Sequence, residues 1–253
     1  MSSNQPLEDA VSIVTGAGGT IGGAIAKQLA QAGSDVVLAV HNDEQISDEI
    51  EASTGRRTHT VQVDVGDADS VGALVDATIE EFGQIDVVVN NASVVSVGPL
   101  EEITESEWDR IMDTNAKGTF LMMKETIPHL RETSGSIVNV ASISGQIAAP
   151  DHSHYGASKH AQIGLTRAAA IELAPDDVTV NALCPGIVKS QMWTDVLTPS
   201  KTETSEETID RVIPLGRDQT PEEMAEAVAF MATTENMTGE TIAIDGGIMQ
   251  DVV

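Results

Sequence analysis

The feature that most constrains this chain is its opening: a short apolar run, Val11–Thr15, a glycine-rich turn, then a helix-period segment from Ile21 to Ala32. Compact β-branched runs read as strands, and apolar residues recurring every three or four positions read as helix. The same alternation continues to the C-terminus. Further strands are predicted at Val36–Val40, Thr58–Val63, Ile85–Asn90, Ser136–Ala141, Thr179–Leu183 and Thr241–Ile244, giving seven in all. Helices are predicted at Gln45–Ser53, Ala68–Phe82, Glu105–Arg131, His154–Ala174 and Pro221–Met231. Strands separated by helices cannot pair as hairpins; they pair in parallel, with the helices packed on both sheet faces.

The expected architecture is therefore an α/β, Rossmann-type, doubly wound parallel sheet of seven strands. With 253 residues the chain suffices for one undivided core, so residues 1–253 are read as a single domain. Residues 189–219 break the alternation, with Thr, Ser and Glu crowded around a short helix expected near Glu206–Val212. They follow the sixth strand, at the sheet edge where doubly wound folds bind ligands, and are expected to form a lid over a site.

Composition excludes several functions. With 41% hydrophobic and 21% charged residues the chain folds rather than staying disordered. Its 40 acidic residues against 13 basic give a formal charge of -27, which repels phosphate backbones and anionic membranes. Neither nucleic acid nor membrane is an expected partner; a small-molecule substrate is. Such self-repulsion needs dense counterions, so a halophilic source is expected. The lone cysteine, Cys184, can form no internal disulfide, no metal-ligand spacing is present, and Met1–Asp9 lacks a secretory pattern. The expected location is cytoplasmic, and no metal site is expected.

Two motifs carry chemistry. Thr15-Gly16-Ala17-Gly18-Gly19-Thr20-Ile21-Gly22 lies between a strand and a helix, where glycines admit a pyrophosphate to the free N–H groups of the helix N-terminus. Tyr155 and Lys159 stand four residues apart on one helix face. An ammonium beside a phenol favours the phenolate, so Lys159 is expected to lower the Tyr155 pKa and make it a usable acid or base. Tyr155 is also the one tyrosine in the chain. His152 and His154 are read as loop residues.

Taken together these motifs resemble the short-chain dehydrogenase/reductase family. The resemblance covers nearly the whole chain: the Thr15–Gly22 turn, Asp64-Val65, Asn90-Asn91-Ala92-Ser93, Ser142 ahead of Tyr155 and Lys159, Pro185-Gly186, and Asp245-Gly246-Gly247 recur in family order. It implies hydride transfer between NAD or NADP and an alcohol or ketone. Tyr155 would then move the proton, Ser142 would bind the same oxygen, Lys159 would bind the nicotinamide ribose, and Asn115 would help hold a water leading from Lys159.

By the same resemblance Gly16, Gly18, Thr20, Ile21 and Gly22 hold the pyrophosphate, Asp64 and Val65 the adenine, and Asn91 and Ala92 the adenosine ribose. Pro185, Gly186, Val188 and Ser190 serve the nicotinamide end, and Ser142, Ser144, Met192 and Trp193 the substrate. Thr20 and Ser93 replace glycines that the family usually carries. Val40 stands where an acidic residue would select NAD, and no Arg or Lys marks NADP at Gly19 or His41; the balance tilts to NADP, with His41 as a phosphate contact. Small polyols, diols, sugars and oxoacyl compounds all remain as substrates, with 3-oxoacyl-carrier-protein or acetoacyl-CoA reduction as the alternative. A non-catalytic dinucleotide sensor is the alternative from another class. The resemblance further implies a homotetramer built on Ala116–Arg131 and His160–Ala174.

Overall fold

The computed structural model describes residues 5–42, 46–189, 209 and 211–250. Its sheet contains β1 (Val11–Thr15), β2 (Asp35–Val40), β3 (Thr58–Gln62), β4 (Val87–Asn90), β5 (Ser136–Val140), β6 (Thr179–Pro185) and β7 (Thr241–Ile244). All pairings are parallel, in the order β3-β2-β1-β4-β5-β6-β7. Chain order reverses between β1 and β4, and that is where a doubly wound sheet opens a crevice at its C-terminal edge.

The helices are α1 (Thr20–Gln31), α2 (Ser47–Thr54), α3 (Ala68–Phe82), α4 (Glu105–Ile111), α5 (Gly118–Thr133), α6 (Ser153–Leu173) and α7 (Pro221–Thr233). Strand β2 shows how they are held. Its Val36, Leu38 and Val40 join the apolar cluster beneath α1 and α7, while Val37 and Ala39 join the cluster beneath α3, α5 and α6. Alternate side chains point to opposite faces, so a strand covered on both sides is apolar over most of its length. Each fully buried Val or Leu among them contributes about 1.5–3 kcal/mol.

The expected continuous helix Glu105–Arg131 is three elements. A capping box of Thr104 and Glu107 starts α4, a wide π turn occupies Met112–Lys117, and α5 follows, running through Pro128. Gly118 closes the break, and what holds it is tertiary, because the π turn aims Asn115 into the protein. Gln45 and most of the short helix expected at Glu206–Val212 lie outside the described residues. No described helix is long and apolar enough to cross a membrane.

Candidate active site

The C-terminal ends of β1, β4, β5 and β6 border one cavity of about 450 Å³. Gly16, Gly18, Thr20, Ile21, Gly22 and His41 line one end. Asn91, Ala92 and Ser93 line its middle, and Ser142, Ser144, Tyr155 and Lys159 lie opposite Pro185, Gly186 and Val188. His152, expected to be only a loop residue, also lines it.

The glycine-rich end fits a pyrophosphate. Gly16 sits at φ 65°, and a Cβ at Gly22 would drive into the Gly16 carbonyl. Tight folding of the turn against α1 thus requires glycine at both positions. Gly19 precedes α1 with no side-chain cap, and the first turn of α1 carries no acidic residue. Its free N–H groups and positive dipole end face the cavity, where an anion is stabilised. Thr20 is exposed at the start of α1 and leaves the Gly16–Gly22 contact untouched.

Asn91 holds this turn in place. Its Nδ2 donates to the Thr15 carbonyl at 2.9 Å and the Gly16 carbonyl at 3.3 Å. The Thr15 hydroxyl accepts from the backbone N–H of Asn91 and of Ala92, at 2.9 and 3.0 Å, and donates to the Val89 carbonyl at 3.2 Å. Asp64 and Val65, expected at the adenine, do not line the cavity. Asp64 is exposed and its carboxylate accepts from Gly66 N–H at 2.9 Å, whereas Val65 packs where Gly118 leaves room for it.

At the other end, β5 delivers Ser142 and α6 delivers Tyr155 and Lys159. The Ser142 hydroxyl accepts from Ser144 N–H at 3.1 Å. Burial pushes the Tyr155 phenol up to about 12, against hydrogen bonding to Ser142 and Ser93, which pulls it down. Lys159, with 1% of its surface exposed, donates to the Val140 carbonyl at 3.1 Å and to Gln162 Oε1 at 2.8 Å. Both acceptors are neutral, and burial lowers its pKa to about 7. Its ammonium lies 5.6 Å from the centre of the Tyr155 ring. The expected lowering of Tyr155 by Lys159 is therefore reversed in the protein alone: burial dominates both groups, drives their pKa values apart, and leaves Lys159 much of its time uncharged near neutrality.

Asn115 is buried in the π turn with its carboxamide fully committed. Its Oδ1 accepts from Ser93 Oγ at 3.2 Å and Val94 N–H at 2.9 Å. Its Nδ2 donates to the Val94 carbonyl at 2.9 Å and Ser158 Oγ at 3.0 Å, and that hydroxyl donates in turn to the Tyr155 carbonyl at 2.7 Å. Asn115 thus ties the loop after β4 to the helix carrying Tyr155. Its route to Lys159 is also through protein: Gln162 Nε2 donates to Thr119 Oγ1, which donates to the Asn115 carbonyl, both at 2.8 Å. Sequence reading missed Gln162, Thr119 and Ser158. One signal was present: Ser158, Gln162 and Thr166 recur every four residues on the buried face of α6, a polar stripe where apolar residues are the rule.

His154 is buried on α6, with Nε2 2.7 Å from Ser96 Oγ, and does not line the cavity. Of the remaining expected site residues, Ser190, Met192 and Trp193 lie outside the described residues.

Comparison with known proteins agrees with this geometry. A family model described as enoyl-(acyl carrier protein) reductase matches residues 16–249. The chain is 38% identical to the 3-oxoacyl-(acyl-carrier-protein) reductase FabG of Staphylococcus aureus, over 94% of this chain and 97% of that protein. It belongs to the short-chain dehydrogenase/reductase family. Versicolorin reductase of Emericella nidulans is 37% identical, over 97% of this chain and 98% of the relative. Among solved structures, one titled a short-chain alcohol dehydrogenase from Sinorhizobium meliloti, designated putative there, superposes with a TM-score of 0.89. It is 30% identical, over 97% of this chain and 98% of the other. This member of the short-chain dehydrogenase/reductase family is accordingly an NAD(P)-dependent oxidoreductase acting on a carbonyl or alcohol group.

Proposed function

We propose that the protein reduces a ketone, preferring NADPH, and that Ser142, Tyr155, Lys159 and Asn115 carry the reaction. The observation that carries this reading is the placing of Tyr155 and Ser142 at one end of a cavity whose other end is the Gly16–Gly22 turn. A reduced nicotinamide dinucleotide, when bound, supplies the hydride. The chain supplies the rest. Burial keeps the phenol protonated, so Tyr155 holds the proton that the ketone oxygen takes up as hydride arrives. The Ser142 hydroxyl fixes that oxygen, and Lys159, uncharged for part of the time near pH 7, relays a proton toward Tyr155 at little cost.

NADPH is supported by the end of β2. Val40 is buried and apolar, His41 lines the cavity, and neither presents the carboxylate that would repel a 2′-phosphate. A 3-oxoacyl thioester is the first substrate class to test, given the names of the relatives. A homotetramer is supported by apolar side chains left exposed on three neighbouring helices: Trp108 of α4, Phe120 of α5 and Ile171 of α6.

The test is a coupled-absorbance panel of 3-oxoacyl thioesters, diketones, diols and sugars, in molar salt, with both cofactors. The expected result is turnover faster with NADPH, reduced roughly 10²–10⁴-fold by Tyr155→Phe with NADPH affinity unchanged. Undiminished turnover in that variant refutes the assignment of Tyr155. Light scattering checks the tetramer.

A further inference from the structure

Lys159 stands at the end of a buried hydrogen-bond chain that runs in one direction. Its ammonium donates to Gln162 Oε1 at 2.8 Å, Gln162 Nε2 donates to Thr119 Oγ1 at 2.8 Å, and Thr119 Oγ1 donates to the Asn115 carbonyl at 2.8 Å. Lys159, Gln162 and Thr119 have 1%, 0% and 4% of their surfaces exposed. The direction is set at the Asn115 end. A carbonyl only accepts, and the Thr119 hydroxyl places its single hydrogen there, so toward Gln162 it offers lone pairs. The Gln162 amide meets them with an N–H, which turns its oxygen to the ammonium. We propose that Thr119 and Gln162 are positioning residues for Lys159: Gln162 supplies the acceptor that seats the ammonium beside Tyr155, and Thr119 makes the amide show Lys159 its oxygen and not its N–H. This deepens the proposed role of Lys159 and rests on it.

Removing the Thr119 hydroxyl changes which form of Lys159 the amide suits. With Val in its place, the Gln162 N–H groups face an apolar side chain. A charged Lys159 holds the amide oxygen where it is and leaves those buried donors unpaired. An uncharged Lys159 has a lone pair, to which the turned amide donates, so the uncharged form gains. Val140 accepts from the same ammonium at 3.1 Å, but through a backbone carbonyl whose direction β5 fixes, so it does not respond to Thr119. Burial, the largest influence on Lys159, already opposes its charge. The titratable groups facing it are the same in every variant: Tyr155 on its own helix, with the ring centre 5.6 Å from Nζ, and the Cys184 thiol on β6, which favours the charged lysine. From α5 and β5 come Thr119 and Val140, which do not titrate.

Lysine isotopically labelled at Cε gives each lysine of the full, cofactor-free chain its own NMR signal, and the signal lost in Lys159→Met is that of Lys159. Titrating it reads the Lys159 proton directly, without turnover. A hydrogen bond to a charged group corresponds to a shift of about one pH unit, so Gln162→Leu and Thr119→Val are each expected to lower the midpoint by about that much. Thr119→Ser, which keeps the hydroxyl, is expected to leave it in place. Because Thr119 acts through the amide, Thr119→Val added to Gln162→Leu is expected to move the midpoint no further. The pH profile of turnover is expected to follow the midpoint in each variant. Circular dichroism confirms folding, and either single variant decides alone if the other fails to fold. A midpoint unmoved in folded Gln162→Leu or Thr119→Val, or a Thr119→Val shift that persists beside Gln162→Leu, overturns the proposal. Absence of turnover in the unsubstituted protein would instead overturn the proposed function and leave the NMR result standing.

Discussion

Replacing Lys159 by Met should stabilise the protein selectively toward acid, by an amount the structure allows to be worked out. The ammonium is buried, has two neutral acceptors, and has its pKa lowered from 10.5 to about 7. The sign follows from where the proton is bound more tightly. An unfolded lysine takes up its proton near 10.5 and the folded one only near 7, so the folded state loses ground as pH falls through that window and regains it as pH rises. At about 1.4 kcal/mol per pH unit, integrating from pH 9.5 down to 6.5 gives a loss of about 3 kcal/mol, as an upper bound. The assay is urea unfolding of cofactor-free protein at several pH values and fixed salt, for the parent and for Lys159→Met. Subtracting one curve from the other cancels every titrating group common to both. The expected difference favours Met by up to about 3 kcal/mol more at pH 6.5 than at pH 9.5. A difference that does not change with pH would refute the claim that Lys159 is held in a site hostile to its charge.

Gly22→Val should abolish dinucleotide binding, measured by reduced-cofactor fluorescence, because any Cβ there meets the Gly16 carbonyl. Gln162→Leu removes one of the two acceptors of the Lys159 ammonium, so the pH profile of turnover should show Lys159 losing its proton at lower pH, with KM for the ketone little changed. Thermal unfolding should shift upward between 0.1 and about 2 M KCl, since a charge of -27 repels itself over a Debye length that shrinks from about 10 Å to under about 3 Å. A flat or falling melting temperature would remove the argument for a halophilic source.

The strands were the most legible part of the fold. A strand covered on both faces is apolar at most successive positions, and β2 and β4 carry that signature over Val36–Val40 and Val87–Val89. The wide turn at Met112–Lys117 was not legible, because weak helix formers such as Asp113, Thr114 and Asn115 do not by themselves specify it and the reason for the turn is a contact with Val94 and Ser158, distant in sequence. Tyr155, Lys159 and Ser142 were found by spacing, yet the charge state of the first two was not. Spacing shows that two groups can meet, whereas burial decides how they titrate, and burial exists only after folding. Ser93 was visible as a departure from the family motif, but its partner Asn115 lies on another element. Asp64 is legible from the intact motif, and what the structure adds is that its carboxylate accepts from the neighbouring Gly66 N–H.

The Thr15 hydroxyl joins the end of β1 to the loop after β4 through three hydrogen bonds. It behaves as the pin of a ruler, setting the span between the anion-binding turn and the serine-lined end where the phenol waits. On the proposed reading, that span holds the half of a dinucleotide that runs from the pyrophosphate to the nicotinamide ring. Retooling the enzyme for a truncated, phosphate-free electron carrier would therefore begin at the pin, since altering either extremity alone leaves the gauge unchanged.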